Sequence, residues 1–268
     1  MTRHRTSRFP HLAAALIAFS ALWATAAAAQ APIRAIPHIE AADVSIDGDV
    51  SDWETLFGPG FLTDLDFASI AGAGSVPPSD LAVEVWLGWN ESTNLIYVAA
   101  KVQDDVFGTT SSTNPGDAWR SDNIEIVIDA DASGGQYGSD AATAQQYILN
   151  SGATQFPVLF PFVLDDPPFV AGAVTRVQNG DGSFTYQYEM AVPGWNLVDD
   201  TGSGDRHSFA AGQIVGMQVG FADFDSDADA DAISYNIYQS LDGIAGSFAN
   251  ADGLSGFELL APGAEPPA

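Results

Sequence analysis

An all-β fold, two antiparallel sheets packed as a jelly-roll-like β-sandwich in a single domain, is the architecture this sequence predicts. Three observations point there. Apolar and polar residues alternate with a period of two in one segment after another. Gly (26) and Pro (15) punctuate the 268 residues. Downstream of Gln30, no run of a dozen residues carries an apolar stripe of helical period.

The elements follow in order. Val44–Ile46 is the first short strand, before the turn-forming run Asp47-Gly48-Asp49. Val83–Trp89 and Leu95–Gln103 flank Asn90-Glu91-Ser92-Thr93-Asn94 and form a hairpin. Ile124–Asp129 and Gln145–Leu149 come next. Between Asn150 and Ala173 stand Pro157, Pro161, Pro167 and Pro168, none of which can donate to a ladder, so this stretch reads as an excursion at one end of the sheets. Val174–Gln178 and Phe184–Val192 form a second hairpin across Asn179-Gly180-Asp181-Gly182. In its second arm Phe184, Tyr186, Tyr188, Met190 and Val192 share one face. Gln213–Ala222, Ile233–Tyr238 and Phe257–Leu260 complete the set.

The ends have different characters. Arg3, Arg5 and Arg8 precede the apolar stretch Leu12–Trp23, and Ala27-Ala28-Ala29 supplies small residues for a signal peptidase, so residues 1–29 read as a secretory leader. Its apolar part is marginal for spanning a bilayer, and no later stretch is long enough, so the cleaved chain has no membrane insertion and is secreted, periplasmic or cell-surface. Residues 30–41 form a Pro-containing lead, 42–260 the sandwich, and 261–268 a Pro-rich tail that neither pairs nor packs.

Charge excludes some partners. Thirty-five acids against eight Lys and Arg give a net charge of −27, which repels nucleic acid and anionic membranes. With no Cys, thiolate zinc sites, iron–sulfur clusters and Cys nucleophiles are ruled out. Only His38 and His207 lie outside the leader, no G-x-S-x-G turn occurs, and the single Lys, Lys101, follows no Gly-rich loop. These absences favour a binding protein over an enzyme.

Two constellations carry chemistry. Asp223, Asp225, Asp227, Asp229 and Asp231 alternate directly after a strand, and such a density of like charge calls for a cation. Hard oxygens at this spacing suit calcium in a structural role. The loop is not an EF-hand, because its sixth and twelfth positions counted from Asp225 are Ala230 and Asn236. The second constellation is Trp119-Arg120-Ser121-Asp122-Asn123, where an indole face meets hydrogen-bonding groups at the mouth of a strand. Sugar rings stack on such a face while the polar groups take their hydroxyls.

Taken together, Ile46-Asp47-Gly48-Asp49-Val50-Ser51-Asp52-Trp53, Leu95–Asp105, Trp119–Asp129, Gln146–Asn150, Tyr188–Trp195 and Gly216–Asp225 make the chain resemble carbohydrate-binding module family 9, of the DOMON-like β-sandwich superfamily. The resemblance implies a non-catalytic, calcium-bearing module that clamps a saccharide or polysaccharide between aromatic rings near one end of the sheets. It places Trp119 and Asp122 at the binding face, Gln146 nearby, and Asp223 and Asp225 at the acidic turn. Where the family carries a Trp before its last strand, this chain reads Ser247-Phe248-Ala249-Asn250, which leaves the second half of the clamp either to Phe248 or unfilled. The alternatives are a haem-binding, electron-transfer module, with Met190 or Met217 and Lys101 or His207 as ligands, and an envelope assembly protein of the same fold.

Overall fold

The computed structural model describes residues 33–137, 143–152, 157–160, 163–165 and 167–265. The leader and the first residues of the lead lie outside these. Strand β1 (Arg34–Ile36) is followed by helix α1 (Ser51–Phe57), β2 (Leu62–Thr63), β3 (Phe67–Gly72), β4 (Leu81–Asn90) and β5 (Leu95–Asp104). A 3-10 turn over Pro115–Arg120 leads into β6 (Asn123–Asp129), β7 (Ala144–Asn150), β8 (Val158–Phe160) and β9 (Leu164–Asp165). Then come β10 (Ala171–Gln178), β11 (Phe184–Val192), β12 (Trp195–Leu197), β13 (Asp205–Arg206), β14 (Ile214–Asp223), helix α2 (Asp227–Ala232), β15 (Ile237–Leu241) and β16 (Ser255–Leu259).

These strands build a sandwich whose sheets do not close into a barrel. The larger sheet runs β1-β16-β14-β6-β7-β8-β9, with β15 pairing the far half of β14 and carrying β3. The smaller runs β10-β11-β5-β4-β2. Period-two alternation decides what lies between them: Ile124, Ile126 and Ile128 of β6, Val215, Met217, Val219 and Phe221 of β14, and Tyr186, Tyr188, Met190 and Val192 of β11 share one core. Each such buried large side chain contributes about 1.5–3 kcal/mol. Asn123, Glu125 and Val127 of β6 and Gln146 and Ile148 of β7 consequently face outward from the larger sheet, which is where the candidate site forms.

Both expected hairpins are present in full register. Three expectations change. Val44–Ile46 is not a strand, because its surroundings are held by side chains instead of a ladder: Glu189, on the outer face of β11, accepts from the backbone N–H of Asp47 (2.9 Å) and Gly48 (2.7 Å) and from the Trp53 indole (2.9 Å). Gln187 adds a bond from Val50 N–H at 2.9 Å. The stretch expected as an excursion contributes β8 and β9 to the larger sheet, with Val158 and Leu159 fully buried. Of Ile233–Tyr238 only the last two residues are strand, since Ser226 caps α2 by accepting from Asp229 N–H and Ile233 ends it with φ of +58°. The lead is drawn into the fold through β1, which pairs in parallel with β16.

Candidate functional site

On the outer face of the larger sheet lies a cavity of about 600 Å³. Its floor is the sheet itself, where Glu125 of β6 and Gln146 of β7 stand side by side, and Gly220 of β14 is the cross-strand partner of Glu125. A Cβ at position 220 would meet the Tyr238 ring at 3.3 Å, so glycine lets that ring lie across the floor. The walls are aromatic: Trp119, Tyr137, Phe160, Tyr235, Tyr238 and Phe248. Tyr235 and Tyr238 stack at 5.4 Å between centroids. Trp119 is half-buried and Phe248, at 60% exposure, forms the rim.

Glu125 is 5% exposed and takes two bonds on one oxygen, from Gln146 Nε2 (2.7 Å) and the Tyr238 hydroxyl (2.6 Å). Burial pushes its carboxyl up to about 7, against the pull of those two donors. Its charge in turn raises the hydroxyls of Tyr137, Tyr235 and Tyr238, on top of their burial.

The structure brings Trp119, Gln146 and Phe248 together at this cavity and sends Arg120 and Asp122 elsewhere. In the 3-10 turn successive side chains diverge. Trp119 donates its indole N–H to Gly116 O at 3.0 Å and faces the cavity. Arg120 pairs with Asp117 at 3.5 Å and donates to the backbone carbonyl of Asp231. Asp122 is buried beneath, accepting from Gly108 N–H (2.7 Å), Phe224 N–H (2.9 Å) and Tyr186 OH (3.1 Å). The expectation that Trp119 and Asp122 face one ligand at one end of the sandwich is thereby replaced by a cavity on a sheet face and a separate acidic centre.

That centre joins Asp104 at the end of β5, Asp122, and Asp223 at the end of β14, with one carboxylate oxygen from each lying within 4.8 Å of the others. All three are buried, and Asp223 is 0% exposed. Asp104 accepts from Val106 N–H (3.0 Å) and Tyr186 OH (2.9 Å). Among the described residues, the Asp223 carboxylate receives only Asn236 Nδ2, at 3.3 Å, and its buried Oδ1 has no partner. Burial pushes Asp104 up to about 7 and Asp223 to about 10 and raises Asp122 as well, with added repulsion from Asp105 and Asp225 on Asp104 and from Asp104 on the other two. Gly108 permits this packing, because a Cβ there would sit 2.0 Å from Phe224 O. An all-carboxylate set with a buried, unpartnered oxygen fits a hard divalent cation.

The five alternating aspartates do not surround one point. Asp223 belongs to the buried centre, and Asp225 to a more exposed group with Asp80 and Asp105. Asp227 accepts from Thr109 N–H (3.1 Å), Asp229 from Ser226 Oγ (2.6 Å), and Asp231 from Thr110 Oγ1 and Ser111 N–H (both 2.8 Å). None of these last three belongs to the buried centre: Asp227 and Asp231 tie down the loop after β5, and Asp229 bonds the cap residue of α2. The haem alternative's residues also diverge: Met190 and Met217 are core, Lys101 pairs with Glu54 on the outer face of β5 at 2.8 Å, and His207 bonds Asn196 at 2.7 Å.

Asp104, Glu125, Tyr137, Phe160, Tyr235 and Tyr238 are the residues sequence reasoning did not single out. For Glu125 a signal existed: it is an acid midway along a strand whose alternate positions, Ile124, Ile126 and Ile128, claim the core.

Residues 65–252, more than half of the chain, match the family model described as carbohydrate family 9 binding domain-like. A carbohydrate-binding module family 9 from Caldicellulosiruptor kristjanssonii, in complex with cellotriose, is similar in structure with a TM-score of 0.56 at 16% identity, over 88% of this chain and 100% of that one. A module of the same family and organism in complex with glucose gives 0.53 at 16% identity, over 87% and 98%. At this identity the likeness speaks to the fold. No curated protein matches the sequence.

Proposed function

Because this chain belongs to the carbohydrate family 9 binding domain-like family, we propose that it binds a saccharide in the cavity on the larger sheet, without catalysis, and is held together by a structural calcium ion. The observation that carries the reading is the cavity's construction: aromatic walls from Trp119 and Phe248 above a polar floor of Glu125 and Gln146. A sugar ring presents apolar C–H faces and an equatorial belt of hydroxyls, and such a site meets both. Binding without turnover is supported by the acids. Glycoside hydrolysis uses two carboxyls about 5–9.5 Å apart, and among the described residues Glu125 is the one acid lining the cavity.

Calcium is assigned to Asp104, Asp122 and Asp223, where the ion would neutralise three buried charges and satisfy Asp223 Oδ1. The N-terminal leader pattern described above supports a secreted, periplasmic or cell-surface location. A glycan array probed with and without chelator tests the reading. Soluble or polymeric saccharide should be retained, and Trp119→Ala should remove about 1–3 kcal/mol of affinity while leaving the melting curve in place. Absence of any saccharide on the array, or full binding by the Trp119 variant, would overturn it.

A further inference from the structure

Resting on the saccharide reading, we propose that the group this cavity selects is an organic ammonium ion, carried on an amino sugar with a free amine, which stacks among the aromatic rings and places its nitrogen against Glu125.

Three of the cavity's donors are already committed: Tyr137 OH to Ser247 O at 2.5 Å, Tyr238 OH to Glu125 at 2.6 Å, and the Trp119 indole to Gly116 O at 3.0 Å. Gln146 gives one of its two amide N–H groups to Glu125. Glu125 takes both of its bonds on Oε2, which leaves Oε1 for a ligand. Among the described residues lining the cavity, the uncommitted side-chain groups include the Tyr235 hydroxyl, the second Gln146 N–H and Glu125 Oε1. An ammonium group carries three donors and no acceptor, and Glu125 Oε1 is an acidic acceptor for one of them.

Charge points the same way. Glu125 is buried, and among the described residues lining the cavity none is basic, so its carboxylate has no positive partner there when ionised. Burying a lone charge is costly, and a ligand cation pairs it. Six aromatic rings around that point add the attraction of their negative faces for a cation, which is strongest where water is excluded. The chain's net charge of −27 draws cationic ligands towards the surface and disfavours acidic saccharides.

The test is a calorimetric series on the intact protein in calcium, using glucosamine, N-acetylglucosamine, glucose and choline. Glucosamine should bind at least tenfold more tightly than glucose or N-acetylglucosamine, in which the charge is absent or acylated, and Glu125→Gln should erase that preference. Because the series is run on the parent protein, it stands even if the variant fails to fold. Equal binding of glucose and glucosamine would overturn this inference and leave the saccharide reading intact. Binding of choline with no binding of any sugar would overturn the amino-sugar assignment, because a quaternary ammonium has no N–H to give Glu125 and would be held by the rings alone. If none of the four binds, this inference falls, and the glycan array decides the saccharide reading on its own.

Discussion

Glu189 and Asp223 are both buried acids at the sandwich surface, and the molecule treats them in opposite ways. Glu189 is surrounded by donors that come from the chain itself: two backbone N–H groups and an indole, at 2.7–2.9 Å. Asp223 lies against two other carboxylates and keeps one oxygen with no partner. The first arrangement is finished by folding alone and pins the Asp47–Trp53 segment to the smaller sheet. The second is complete only when something positive arrives. Burial by itself does not mark a functional acid; unmet hydrogen-bonding capacity does.

Removing the satisfied acid should do the most damage. Glu189→Ala would leave three donors unpaired around a cavity, at a cost of about 3–5 kcal/mol, and a melt should fall by roughly 10 °C with the N-terminal segment newly sensitive to protease. An unchanged melt would break the contrast. Next in size is the pH response of the metal-free protein. Asp104, Asp122 and Asp223 have folded-state values raised above those of an unfolded chain, so stability is greatest at low pH and is lost as pH rises. Asp223 alone, with its folded value near 10, should cost about 1.4 kcal/mol per pH unit, or about 3 kcal/mol from pH 5 to 7. Melts in EDTA across that range should therefore slope downward, and calcium should flatten them.

At fixed neutral pH, calcium at 100-fold excess over its dissociation constant should add about 2.7 kcal/mol, seen as a rise of several degrees over EDTA. Superimposable curves would remove the ion from the account. The smallest effect sharpens the comparison most. Asp223→Asn keeps the shape and removes the cost of protonating a buried acid on folding, so the variant should melt a few degrees above the parent in EDTA and show no calcium response.

The hairpins were legible because alternation and turn chemistry agree over long segments, as in Phe184–Val192. The segments that misled were those where side chains replace ladder bonds, as Glu189 does for Asp47 and Gly48, or where capping beats strand propensity, as Ser226 does ahead of Ile233. Of the cavity, Trp119, Gln146 and Phe248 were legible through the family resemblance, while Glu125 was masked by its isoleucine neighbours. The acidic centre was half legible. Proximity along the chain picked out Asp223 to Asp231, yet its actual partners, Asp104 and Asp122, come from other elements brought close by sheet register, which a linear pattern does not contain.

The short passage from Pro115 to Asp122 carries a cavity ring on Trp119 and, three residues later, a carboxylate of the buried centre. Ligand choice and structural integrity are thus written into one stretch of backbone, and any insertion there would disturb both together. The Ala245–Phe248 loop, which contributes to the rim and supplies no acid to that centre, is under no such constraint. Divergence of specificity among relatives, and any redesign of it, should accumulate on that rim while the Trp119 side stays fixed.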